Sequence, residues 1–325
     1  MKKSVSNLLD EYIDSSTPEN WGFKGLSESD IERSRSTFQF YEGKVRQCFS
    51  SETSFVVVHT DRLTAFDCYI DLVPYKGVLL NLISDYWFHQ IEGKVPHHFI
   101  RKVDERTLET RKTTPIKAEV VVRGYLAGSM LRKYENGERL FCGNELPSGL
   151  LPYGKLPSPI ITPTTKAEVF EHDEPTSAKE IIDQNIATAE EWKKIEKMAF
   201  DLFAIGTEVF AKHGWILADT KYEFGRTADG EIIVIDEIHT PDSSRLWEKE
   251  TYKEEFEASS APKMLDKEII RQYLISEGFS GEGQVPKVPQ KLKAELSKVY
   301  LSVAEKLTGS RIEIPENYEP SLDWI

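Results

Sequence analysis

One stretch constrains this chain more than any other: GWILADTKYEFGRTADGEIIVIDEIHTPDSSR, residues 214–245. Apolar runs flank a Thr-Ala-Asp-Gly turn, with Gly and Pro at the ends, and this predicts a β-hairpin. Side chains alternate faces along a strand, so Ile216, Ala218, Thr220, Tyr222 and Phe224 share the expected core side. Asp219, Lys221 and Glu223 share the other. A solvated face would account for the charges of the first strand taken alone. The second strand, Ile232 to Ile235, reads as buried on both sides and then ends abruptly in Asp236-Glu237. Acids at the end of a buried strand point to a site.

The whole chain, 325 residues, bounds what that site can serve. The length allows two domains with real cores. No apolar stretch approaches the roughly 20 residues of a membrane span, and the first residues lack the apolar core of a signal peptide. Three scattered cysteines, Cys48, Cys68 and Cys142, argue against a disulfide framework or a zinc site. The expectation is a cytoplasmic protein with no membrane partner. A formal net charge of −13 argues against nucleic acid, because phosphate neutralisation needs a basic footprint. A small anion held by a few focused cations stays open.

The pattern predicts strands at 40–49 and 55–59, a helix near 77–92, a buried strand at 120–122 and a short helix at 128–134. Residues 143–176, rich in Pro and Gly, read as irregular. The strongest helix is 189–213, with a Thr188/Glu191 capping box and a Gly214 stop. Helices near 266–277 and 289–308 follow. Antiparallel strands with segregated helices give an α+β class. The expected boundary lies near residue 120, dividing 1–120 from 121–325 with a cleft between.

Several short motifs bear on chemistry. In YEGKVRQCF, Lys44 and Arg46 would share one strand face after Gly43, either as a solvated edge or facing phosphate. Arg123, at the end of a Val-Val-Val run in VVVRGYLAGS, offers a rigid fork for phosphate or carboxylate. Ser129 either binds an anion at a helix start or caps that helix. TPTTKAEVFEHDE brings Lys166, His172 and Asp173 into the long loop. The seven histidines show no metal spacing, so any metal would be held by oxygen, as Mg²⁺ is by one or two carboxylates plus substrate phosphates. Glu223 and Asp236 would supply that pair.

Taken together, GKVRQCF, DRLTAFD, VRGYLAGS, TPTTKAEVFEHDE, ADTKYEFG and DEIHTPDSSRLW resemble, in order, the motifs of the SAICAR synthetase family, GKVRDIY, DRISAFD, VRGYxxGS, TPSTKAExGEHDE, ADTKFEFG and DExLTPDSSRFW. Departures include Gln47-Cys48, Thr64, Tyr222 in place of Phe, and His239 in place of Leu. The resemblance implies an N-terminal, mostly antiparallel nucleotide-binding lobe related to those of kinases and ATP-grasp enzymes. A larger α+β domain would follow, with ATP in the cleft between them. It implies a ligase of purine biosynthesis that joins the carboxylate of a ribosyl-phosphate aminoimidazole (CAIR) to L-aspartate through an acyl phosphate, with ATP and Mg²⁺ as cofactors. By resemblance, Gly43, Lys44, Arg46 and Lys166 meet the nucleotide, and Glu223 and Asp236 hold Mg²⁺. Lys221, Asp219 and Arg245 form the catalytic set. Asp67, Arg123, Ser129, Asp242 and Arg245 meet the substrate. A monomer or homodimer is expected.

Overall fold

The computed structural model describes residues 2–166, 174–315, 318, 320, 322 and 324. The chain divides into two compact units, 1–89 with 98–112 and 266–325, and 90–97 with 113–265. This differs from a single cut near residue 120. The C-terminal 60 residues, 266–325, group with the N-terminal part because strand Lys2–Ser4 pairs with Glu313–Pro315 and helix Val5–Asp14 packs on helix Gln290–Thr308. Pairing between the two chain ends leaves no local trace in sequence.

The first unit is built on an antiparallel sheet in the order Gln39–Glu42, Arg46–Ser50, Ser54–His59, Thr107–Arg111, Phe99–Lys102. The single strand expected at 40–49 is a hairpin. Gly43 N donates to Arg46 O at 2.8 Å and closes the turn. A buried ion pair braces the unit: Arg106 donates to both oxygens of Asp61, at 2.8 and 2.9 Å, and Asp61 also accepts from the backbone of Phe23 and Gly77. A buried pair satisfied in this way avoids the penalty of an uncompensated charge.

The second unit holds the predicted hairpin. Strand Trp215–Arg226 is central in an antiparallel sheet, with Thr114–Tyr125 on one side and Lys155–Thr165 beyond it. Its other side is shared: Ser244–Glu248 pairs with 215–220, and Ile232–Ile235 pairs with 223–226. The loop 236–243 therefore jumps between two strands that flank the same edge. Helix Ala189–Lys212 covers one face of this sheet. Its capping box forms as expected, with Glu191 N donating to Thr188 Oγ1 at 3.2 Å and Thr188 N to Glu191 Oε2 at 2.7 Å. Residues 155–165, expected to be irregular, form the edge strand instead. Among the described residues, no helix is long and apolar enough to cross a membrane.

Candidate functional site

Asp219, Lys221 and Glu223 do share a strand face, but that face is not solvated. Asp219 is 4 % and Glu223 5 % exposed. Register explains the charges. Asp219 stands opposite Arg123 on one neighbour and Arg245 on the other, while Glu223 stands opposite Glu119.

The Asp219 half is a clasp of cations. Arg245 Nη1 reaches both carboxylate oxygens of Asp219, at 3.0 and 2.9 Å, and Arg123 Nη1 reaches Oδ2 at 3.1 Å. Arg123 also donates from Nε to Thr162 Oγ1 at 2.8 Å and from Nη2 to Ser129 Oγ at 3.4 Å. Burial pushes the Arg123 guanidinium below its ordinary value, while Asp219 pulls it back up. The Arg245 guanidinium lies over Gly128, where a Cβ would come within 2.6 Å of Nη2. Gly128 also has a positive φ of 59°, so a side chain there would be strained as well as crowded. Ala127, not Ser129, occupies the N-cap of helix Gly128–Glu135. Ser129 is thus an acceptor for Arg123 and does not cap.

The Glu223 half is a clasp of anions. Lys221 Nζ lies 2.5 Å from Glu223 Oε1, 3.3 Å from Glu119 Oε1 and 3.3 Å from Asp236 Oδ2. Lys166 Nζ also binds Glu223, through Oε2. Burial of Lys221 opposes its charge, but Glu223, Glu119 and Asp236 outweigh it and hold the ammonium well above its ordinary value. The three carboxylates thus favour the charged form of Lys221. Asp236 has φ 65°, a left-handed geometry that costs a non-glycine residue about 1–3 kcal/mol and tends to mark functional sites.

The carboxylates Glu119, Glu223 and Asp236 offer only oxygen donors, which suits a hard cation. Among the described residues no three acids are spaced to hold an ion unaided. A two-carboxylate site that completes its shell from phosphate oxygens, such as Glu223 with Asp236, fits that pattern for Mg²⁺.

In the first unit, Lys44 lies in the hairpin turn and Arg46 on the following strand, so the two do not share a strand face as expected. The closing bond from Gly43 to Arg46 is the cause. Lys44 Nζ pairs with Asp67 Oδ1 at 2.9 Å, and Phe66 and Asp67 both have positive φ, 52° and 59°. Asp242 sits half-buried in the turn before Ser244–Glu248. His172 and Asp173 lie outside the described residues.

Sequence reasoning missed Glu119 and Thr162. Glu119 lies four residues before Arg123, on the same strand face by alternation, and this spacing was the available signal. His239, a departure from the family motif beside the expected site, is a core residue. It is fully buried, its Nε2 lies 2.6 Å from the Tyr222 hydroxyl, and a Cβ on Gly206 would touch its ring at 2.7 Å. Two of the departures, Tyr222 and His239, are thus one contact.

Comparison with known proteins adds a further line of observation. A sequence model of the SAICAR synthetase family matches residues 39–288. The phosphoribosylaminoimidazole-succinocarboxamide synthase of Legionella pneumophila (strain Lens) is 41 % identical over 290 residues, covering 88 % of this chain and 92 % of that protein. A solved SAICAR-synthase from Saccharomyces cerevisiae, complexed with SAICAR, superposes with a TM-score of 0.74 at 29 % identity, over 85 % of this chain and 96 % of that one. A SAICAR synthetase in complex with ADP gives 0.66 at 27 % identity, over 85 % and 100 %.

Proposed function

Because the chain belongs to the SAICAR synthetase family, we propose the following reading of its site. The protein is a phosphoribosylaminoimidazole-succinocarboxamide synthase, an ATP-dependent ligase of purine biosynthesis. It joins the carboxylate of CAIR to the amino group of L-aspartate and releases ADP and phosphate. The observation that carries the assignment of roles is the opposite charge balance of the two halves of one strand face.

The Asp219 half takes the ribosyl phosphate. Arg245, 21 % exposed, is the fork that meets the anion. Arg123, more deeply buried and hydrogen-bonded to Ser129, anchors Asp219, which sets the direction of that fork. Asp242 positions substrate from the neighbouring turn. Glu223 and Asp236 would hold Mg²⁺, which when bound neutralises nucleotide phosphate charge. Gly43, Lys44, Arg46 and Lys166 serve the nucleotide, and Asp67 orients Lys44.

A carboxylate is a poor electrophile, because its charge repels an amine and oxide is not a viable leaving group. In the proposed order, a CAIR carboxylate oxygen attacks the γ-phosphorus of ATP, and ADP leaves. The aspartate nitrogen then attacks the acyl carbon, phosphate departs with that oxygen, and the nitrogen sheds a proton. Lys221, held cationic, neutralises the moving phosphoryl oxygens. No cysteine stands beside a histidine in any of the motifs, so direct transfer held by positioning is the economical path. Omitting each substrate in turn tests the reading. ATP consumption should require CAIR, and amide formation should require aspartate as well. Sustained ATP turnover in the absence of CAIR would contradict it.

A further inference from the structure

The loop 236–243 brings Asp236 to the charged face, yet its backbone is left-handed at Asp236 and again at His239, with φ 65° and 55°. Such geometry persists only where the surroundings over-determine it. Two ties hold the loop to the central strand or within itself. Lys221 N donates to Ser243 O at 2.9 Å, and Thr240 Oγ1 donates to Glu237 at 2.5 Å. The third tie lies beneath the sheet. The His239 ring is fully buried against helix Ala189–Lys212, over Gly206. A mid-helix glycine costs about 0.5–1 kcal/mol relative to alanine, and here the absent side chain is the space the ring occupies. Phe210 meets the ring edge-on at 6.1 Å, and the Tyr222 hydroxyl lies 2.6 Å from Nε2. Tyr222 immediately follows Lys221 and points to the opposite face.

We propose that His239 is a positioning residue for the site: its buried hydrogen bond with Tyr222, seated on Gly206, locks the 236–243 loop so that Asp236 reaches Lys221. The proposal rests on the reading of Asp236 as a metal carboxylate. One strand then carries both halves of the device, Lys221 above and Tyr222 below, and the loop is clamped to both. The Tyr222 hydroxyl and His239 Nε2 are both fully buried and share one hydrogen bond of 2.6 Å. Removing either partner alone leaves a buried polar group unpaired, whereas removing both leaves an apolar contact of similar shape.

The test compares Tyr222→Phe, His239→Leu and the double variant in two measurements. Amide hydrogen exchange across 236–243 is independent of the reaction. Each single variant should speed exchange there by about tenfold, and the double variant should recover most of the loss. The Mg²⁺ concentration for half-maximal turnover should rise several-fold in the singles and return in the double, with the KM for CAIR little changed. Tyr222→Phe removes one oxygen atom and keeps the informative comparison available should His239→Leu fail to fold. Wild-type exchange in 236–243 for Tyr222→Phe, or a lower Tm with an unmoved Mg²⁺ requirement, would overturn the lock. Absence of ligase turnover in the wild type would instead overturn the proposed reaction, with the exchange result still deciding whether the lock exists.

Discussion

Asp219 and Glu223 occupy one face of one strand, four residues apart, in opposite surroundings. Around Asp219, among the described residues, two guanidiniums meet one carboxylate, a formal surplus of one positive charge. Around Glu223, among the described residues, the two ammoniums of Lys166 and Lys221 meet the three carboxylates of Glu119, Glu223 and Asp236, a formal surplus of one negative charge. Asp219, Arg123 and Glu223 are buried, where charges interact more strongly than at a surface. The proposed reading completes the positive half with an anion and the negative half with a cation. In the proposed reading the strand is a ruler with a phosphate end and a metal end. At ~3.3 Å per residue, the two lie about 13 Å apart, a span suited to a ribotide whose phosphate is at one end and whose reacting carboxylate lies toward the other.

The largest effect should come from removing the charge that defines the metal end. Asp236→Asn keeps the shape and loses the anion, so turnover should fall about a hundredfold or more at ordinary Mg²⁺. The KM for CAIR should hold within about twofold. A wild-type Mg²⁺ dependence in this variant would remove Asp236 from the metal. The converse substitution, Arg245→Lys, keeps the charge at the phosphate end and loses the planar fork. It should weaken CAIR by about 1.5–3 kcal/mol, roughly ten- to a hundredfold in KM, and leave ATP and Mg²⁺ requirements in place. Equal rises in the KM of ATP and CAIR would merge the two halves into one.

The smallest effect concerns what lies beneath the strand. Burial pushes the His239 pKa down to about 3, with the Leu202 backbone working against it. The unfolded chain then binds a proton that the native state refuses between the usual value of 6.5 and about 3. Stability from this residue is therefore complete above pH 6.5 and declines as pH falls. Between pH 7 and 5 the loss should be about 2 kcal/mol. Urea unfolding of the wild type should show that decline, and the Tyr222→Phe/His239→Leu variant should show less of it. Parallel pH profiles would place His239 in a less buried setting.

The sequence exposed those features that local strings can carry. The hairpin, the capping box at Thr188, the end of the long helix at Gly214 and the buried Ile232–Ile235 run were legible because each depends on neighbours in the chain. The charged face of Asp219, Lys221 and Glu223 was legible from alternation, but its meaning was not. That meaning lies in cross-strand register, which sets Arg123 beside Asp219 and Glu119 beside Glu223. The strand Lys155–Thr165 was obscured by Pro157, Pro159 and Pro163. Proline is tolerated there because the strand forms the sheet edge. Lys44 was placed on a strand because Gly43 gives no local sign of which neighbour will close the turn.

The central claim, that one strand face holds a metal at one end and a phosphate at the other, is open to a single spectroscopic test. Mn²⁺ can replace Mg²⁺ in a complex with ADP and CAIR, and the phosphorus resonances of both ligands can then be followed as the ion is titrated in. Paramagnetic relaxation falls steeply with distance. With the ion at Glu223 and Asp236, and the ribosyl phosphate at Arg245 about 13 Å along the strand, the ADP resonances should broaden strongly and the ribosyl phosphate only weakly. Equal broadening of the two would put both phosphates at the metal and contradict the account.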